Sequence, residues 1–289
     1  MLLSAFLQKG ISALSGLYPA EEARSILTLL CRELLGTRSY THIIEPSYEI
    51  DPSREGVLMD ALARLEAGEP VQSVLGKVQF CGREFRVGPG VLIPRPETEQ
   101  LCEMAIAACA GMKTPAVLDL CTGSGNIAWA LALSVPGARV VGVDKSEEAL
   151  GIAASQPFGE ALQDGRFAAP RFVQADILLA PALQGPFDVI VSNPPYICRS
   201  ERAAMRENVL RYEPEEALFV PDDDPLVFYQ AVAEWADALL RPGGKIFVEI
   251  NEALGLSVKD LMVSRGFGNV QVIKDFFGKD RFVGCDKLS

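Results

Sequence analysis

Apolar positions recur at three- and four-residue spacing through Ala20–Cys31 and again through Val57–Leu65, the period of a helix with one buried face. Pro19 before the first run, Gly36 after Glu33-Leu34-Leu35 and Gly68 after the second run are fitting helix boundaries. Residues 1–75 are therefore expected to form a small helical domain. Beyond it the period changes. Alternating runs over Val78–Val87 turn near Gly82, which predicts a β-hairpin followed by a Gly88-Pro89-Gly90 linker, together 76–95. The second domain is assigned to 96–289. Strands are predicted at Ala116–Leu120, Arg139–Asp144, Arg171–Gln174, Phe187–Ser192, Lys245–Ile250, Asn269–Ile273 and Arg281–Cys285. Helices are predicted at Asn126–Ser134, Ser146–Ser155, Pro225–Leu240 and Leu254–Arg265. The first five strands are mostly apolar runs, as strands covered on both faces are, and the segments between them can hold crossover helices. The pattern predicts an α/β fold with a doubly wound, mostly parallel seven-stranded sheet.

Composition narrows the chemistry. With 289 residues, 49% hydrophobic and 22% charged, the chain has material for about two globular domains. Its apolar runs are strand-length, and Met1–Leu7 lacks a basic flank and meets Lys9 early, so neither a membrane span nor a signal peptide is expected. Seven cysteines without a C-x-x-C pair, together with the single histidine His42, point to reduced thiols, a cytoplasmic protein and no metal site. His42 is expected at a surface or interface. The net charge of −11 argues against direct nucleic-acid binding, and residues 1–75, with six basic and ten acidic side chains, are no basic arm. A monomer is expected.

Two turns carry the candidate chemistry. Strand Ala116–Leu120 runs into Cys121-Thr122-Gly123-Ser124-Gly125-Asn126, where glycine permits close ligand approach and a helix N-terminus offers free N–H donors. Asp144 ends the next strand about twenty residues on, where it could accept hydrogen bonds from two ribose hydroxyls. Together they imply a nucleoside. A dinucleotide remains open, with Ala128 standing in for a third glycine; Asp119 beside the turn disfavours a pyrophosphate and suits the ammonium and sulfonium of S-adenosylmethionine. Asp176 and Ile177 follow the third strand, where the aspartate could bond an adenine amino group and the isoleucine pack on the ring. An exposed loop aspartate is the plain alternative.

The second turn is Asn193-Pro194-Pro195-Tyr196, after the fourth strand. Two prolines stiffen it and hold an amide, a backbone carbonyl and an aromatic ring together. Such a group suits a planar nitrogen gripped by its hydrogens.

Taken together, Asp119–Asn126, Asp144, Asp176-Ile177, Asn193–Tyr196 and Leu240–Lys245 resemble the class I S-adenosylmethionine-dependent methyltransferases. The Asn-Pro-Pro-Tyr form occurs in enzymes of adenine N6 in DNA and of protein glutamine. Gly68–Gln72, Leu75–Phe80, Val91–Glu99 and Tyr212-Glu213-Pro214 resemble the release factor glutamine N5-methyltransferases, the HemK/PrmC family, most strongly over 68–214. The resemblance implies methyl transfer from S-adenosylmethionine to the Gly-Gly-Gln glutamine of peptide chain release factors. It places Asn193, Pro194 and Tyr196 in catalysis, and Asn193–Tyr196 at the substrate. It assigns Asp119, Cys121–Gly125, Asp144, Asp176, Ile177 and Asn193 to the cofactor. In that reading Tyr196 packs against the flat amide. Arg95, Glu97 and Glu99 either pin the segment between the domains or shape the site entrance; because they precede the first sheet strand, a lid or substrate groove is the favoured reading. Cys121 departs from the family's usual glycine, and Phe219–Pro225 from its usual glycine-bearing loop. The alternatives are a DNA adenine methyltransferase and a non-catalytic binding module. Cys198, two residues past Tyr196, is read as packing, since direct displacement needs no nucleophilic thiol.

Overall fold

The computed structural model describes every residue except Ala182 and Ser289. The chain packs as two compact units, Met1–Lys77 with Arg206–Tyr212, and Val78–Met205 with Glu213–Ser289.

The first unit contains α1 (Leu3–Ala13), α2 (Ala20–Leu35), α3 (Thr41–Ile44), α4 (Pro52–Glu66) and α5 (Val71–Leu75). Gly36 closes α2 at φ 72°, its N–H donating to Arg32 O, the left-handed stop that glycine makes cheap. Asp51 caps α4 by accepting from the Ser53 N–H, with Pro52 in its first turn. Phe6, Leu14, Leu27, Leu30, Leu58 and Leu62 are wholly buried in one core. His42 is half-buried in α3.

The rest of the chain opens with the hairpin β1 (Lys77–Phe80) and β2 (Arg83–Arg86). Cys81 and Gly82 between them have φ 48° and 68°, the paired positive values of a two-residue hairpin turn. Next come α6 (Glu97–Ala108), β3 (Ala116–Leu120), α7 (Asn126–Ala132), β4 (Arg139–Asp144), α8 (Glu147–Ala154), β5 (Arg171–Gln174) and β6 (Phe187–Ser192). The chain ends with β7 (Ile197–Cys198), α9 (Glu207–Tyr212), β8 (Phe219–Val220), α10 (Val227–Leu239), β9 (Leu240–Glu249), α11 (Gly255–Ser264), β10 (Phe267–Lys274) and β11 (Asp280–Lys287).

Seven strands form the main sheet in the order β10-β11-β9-β6-β3-β4-β5. The five from β9 to β5 are parallel, and β11 runs antiparallel to both neighbours. Alternate residues of β3 explain the apolar run: Ala116, Leu118 and Leu120 enter one core while Val117 enters the core on the opposite face. From β3 the chain moves outward to β4 and β5, then returns to β6 on the other side. The carboxyl ends of β3 and β6 therefore flank a topological switch point, where a crevice opens.

Two sequence expectations change. Segment 206–212 lies inside the expected second domain of 96–289, yet Arg206 pairs with Glu22 at 2.9 Å and the Tyr212 hydroxyl donates to Ala67 O at 2.9 Å in the first unit. Its partners are far away in sequence, so no local period reveals them. The expected strand at Lys245 begins at Leu240, because Phe187 pairs with Leu240 and Val189 with Lys245, and the intervening residues bulge around Gly243 at φ 74°. Glu97 and Glu99 open α6, where carboxylates favour a helix N-terminus. Among the described residues, no helix is long and apolar enough to cross a membrane.

Candidate active site

A cavity of about 560 Å³ lies at the switch point, within the usual range for small-molecule sites. Cys121, Thr122, Gly123 and Ser124 from the turn after β3 line it, as do Asp144 after β4, Asp176 and Ile177 after β5, and Asn193 and Pro195 after β6. Asp119, Gly125, Pro194 and Tyr196 are not lining residues.

The turn after β3 is held from below and from the side. Asp119 is completely buried, and its Oδ2 accepts from the Thr122 hydroxyl at 2.5 Å and the Ala128 N–H at 3.1 Å. Its Oδ1 is buried without a partner. Burial, only partly opposed by those two donors, pushes Asp119 up to about 7. Asp144 grips the turn from β4: Oδ2 accepts from the Gly123 N–H at 2.8 Å and Oδ1 from the Ser146 N–H at 3.0 Å. Burial raises its pKa as well. Gly125 begins α7 at φ 77°, and a Cβ there would lie 2.9 Å from Ala153 Cβ, so both conformation and space demand glycine.

Cys121 has φ 59°, in the left-handed region where a side chain is strained. The non-glycine residue therefore occupies a position whose backbone suits glycine. On the far side, Asp176 Oδ1 accepts from the Leu178 N–H at 2.9 Å, and Ile177 is buried against the main core.

The donor set fits a nucleoside carrying a cationic tail. Asp144 spends one hydrogen bond per oxygen on backbone and keeps further acceptor capacity at the cavity wall. Gly123 keeps the wall low, and the orphaned Asp119 oxygen leaves an unused acceptor beneath the turn.

Asn193 stands beside this wall because Ser192, the last residue of β6, pairs in register with Leu120 and its hydroxyl donates to Leu120 O at 2.7 Å. Asn193 Nδ2 donates to Thr98 Oγ1 at 3.2 Å. The Thr98 hydroxyl donates to Glu249 Oε2 at 2.7 Å, and the Tyr196 hydroxyl to Glu249 Oε1 at 3.1 Å. Burial raises Glu249, while the two hydroxyls and the Arg281 guanidinium oppose that rise. Tyr196 is thus turned inward, its pKa raised by burial and then by the charge of Glu249. Its hydroxyl is thereby held by Glu249, next to the turn that carries Asn193.

Thr98 and Glu249 were not singled out in the sequence, though signals exist. Thr98 continues the buried stripe of Leu101, Cys102 and Ala105 at helical spacing, and Glu249 is an acid closing an apolar strand. Arg95 donates to Glu213 Oε1 at 2.7 Å and the Ile93 N–H to Oε2 at 3.2 Å. The two segments containing Val91–Glu99 and Tyr212-Glu213-Pro214 therefore meet at one buried carboxylate. That contact holds Gly90–Pro94 along the cavity. Cys198 is half-buried with its pKa raised by burial, which disfavours the thiolate a nucleophile needs.

A family model of the methyltransferase domain matches residues 113–257, and one of the PrmC N-terminal domain matches 5–76. A release factor glutamine methyltransferase of Bacteroides thetaiotaomicron is 41% identical over 276 residues, covering 95% of this chain and 96% of its own. The chain belongs to the release factor glutamine methyltransferases. A second member of that family, from Flavobacterium psychrophilum, is 33% identical over 286 residues and 98% of each chain. The Thermus thermophilus 16S rRNA N2 G1207 methyltransferase, solved with AdoMet and guanosine, shares the fold at TM-score 0.50 and 24% identity, over 73% of this chain and 49% of its own. As a release factor glutamine methyltransferase, this chain is an S-adenosylmethionine-dependent enzyme with the class I α/β architecture.

Proposed function

We propose that the chain methylates the side-chain nitrogen, N5, of the glutamine in the Gly-Gly-Gln motif of peptide chain release factors. The observation that carries this assignment is Asn193, an amide on a proline-stiffened turn, at the wall of the cavity and next to the glycine turn of β3. S-adenosylmethionine supplies an electrophilic methyl carbon when bound and leaves as S-adenosylhomocysteine.

The chain's own residues then act by placement. Asp144 accepts from the ribose hydroxyls, Asp176 from the adenine amino group, and Ile177 packs on the adenine ring. The turn Cys121–Gly125 closes on the methionine portion, with the Asp119 carboxyl beneath it. Asn193 Oδ1 and the carbonyl of Pro194 accept the two hydrogens of the substrate amide. An amide nitrogen is a poor nucleophile because its lone pair is delocalised, so alignment supplies much of the rate. Both acceptors also stabilise positive charge growing on nitrogen. As the N–C bond forms, the nitrogen becomes acidic and releases one hydrogen as a proton, which needs no strong base. Tyr196 supports this turn through Glu249.

Purified protein incubated with methyl-labelled S-adenosylmethionine and intact release factor tests the assignment. Label is expected on the peptide bearing Gly-Gly-Gln and absent from a Gly-Gly-Glu factor. Label on adenine of a DNA duplex, with none on the factor, would overturn it.

A further inference from the structure

We infer that Thr98 and Glu249 are positioning residues that set which way round the Asn193 amide faces, turning its oxygen toward the substrate nitrogen. The inference rests on the acceptor role proposed for Asn193.

An asparagine amide has a donor end and an acceptor end of nearly equal size, and packing alone distinguishes them poorly. A turn that must present only the acceptor needs another feature to break this near-symmetry. Glu249, the last residue of β9, is 1% exposed, and each of its oxygens receives one hydroxyl, from Thr98 at 2.7 Å and from Tyr196 at 3.1 Å. Both Glu249 oxygens act as acceptors, so the carboxyl draws the single Thr98 hydrogen to itself. Thr98 is also 1% exposed, and with that hydrogen committed its oxygen has acceptor capacity alone to offer a neighbour. The neighbour is Asn193, with Nδ2 3.2 Å away. The amide's donor end is therefore drawn toward α6, and Oδ1 is left for the cavity.

The polarity of the chain Glu249–Thr98–Asn193 runs in one direction. A reversed amide would set Oδ1 against the Thr98 oxygen, two acceptors with no hydrogen between them. It would also aim N–H groups at a nitrogen whose charge grows more positive during attack. Thr98 thereby gives the Val91–Glu99 motif a chemical purpose.

The test compares Thr98→Val, nearly isosteric but without the hydroxyl, with Thr98→Ser, which restores it. Losing a charge-oriented hydrogen bond at the reacting site predicts a kcat about 10- to 100-fold lower for Thr98→Val. Its Kd for S-adenosylhomocysteine and KM for release factor should stay within about threefold of wild type, because alignment rather than uniform binding is lost. Thr98→Ser should recover most of the rate. If the valine variant does not fold, judged by melting and cofactor binding, Thr98→Ala takes its place against the same serine control. In an Asn193→Ala background, removing the Thr98 hydroxyl should change the residual rate less than about twofold, since no amide remains to orient. Wild-type kcat in Thr98→Val, equal losses in the valine and serine variants, or full additivity with Asn193→Ala would each overturn the inference. Failure of the wild-type protein to label release factor would instead overturn the proposed function.

Discussion

Asp119→Asn should change how stability depends on pH, and the structure sets both sign and size. The carboxyl group lies wholly inside the protein under the glycine turn, with one oxygen unpartnered. Burial moves it from 3.8 to about 7. A carboxyl whose folded pKa lies above its unfolded value binds more protons when folded between those two values. Its contribution is therefore fully present below about pH 4, declines as pH rises, and is lost once pH passes about 7. A difference of about 3 pH units at ~1.4 kcal/mol each corresponds to roughly 4 kcal/mol across the whole window. Asparagine cannot ionise. Its amide can still accept from Thr122 and Ala128 but buries an unpaired NH2 where Oδ1 was, a pH-independent penalty of about 1–3 kcal/mol. Urea unfolding of the cofactor-free protein at pH 5 and pH 7 should thus show the wild type losing about 2–3 kcal/mol relative to Asp119→Asn. Other titrating groups are common to both proteins and cancel in the difference. Parallel pH profiles would refute the reasoning, because they would mean that the carboxyl ionises as readily inside as out.

Further outcomes follow from the site. Asn193→Ala should lower turnover about a hundredfold or more while cofactor affinity by calorimetry stays within about threefold; equal turnover would contradict its assigned role. Asp144→Ala should weaken cofactor binding about 10- to 100-fold, since it removes a charged acceptor for two hydroxyls and also the hold on the Gly123 N–H; an unchanged Kd would remove it from the site. At Cys121, glycine should be more stable than alanine by about 0.5–1 kcal/mol, the reverse of the usual order, because relief of the left-handed strain exceeds glycine's added unfolded-state entropy. Urea midpoints with alanine equal to or above glycine would refute that.

Much of the cavity lining was readable from the chain because each part lies at a strand end. Cys121–Ser124, Asp144, Asp176 and Ile177 each follow an apolar run, and parallel strands bring their carboxyl ends to one edge. The supports of Asn193 were harder to see. Thr98 is 95 residues before Asn193 and 151 before Glu249, separations at which no periodicity operates. The Pro94–Glu99 run attracts attention through its charges, yet its uncharged Thr98 reaches the cavity. The partner of the Tyr196 hydroxyl was equally hidden, since Glu249 lies 53 residues further along the chain.

The sequence alone determined the alternation of strands and crossover helices, the helical first unit, and the glycine and proline turns at the strand ends. These follow from local physics, namely burial period, backbone freedom and the conformations that proline forbids. Tertiary structure alone decided that segment 206–212 packs with the first unit, that one Asp119 oxygen is left without a partner, and that Glu249 fixes the polarity of the Thr98–Asn193 pair. Those outcomes depend on which polar groups meet where water is excluded, and burial makes each such meeting either satisfied or costly.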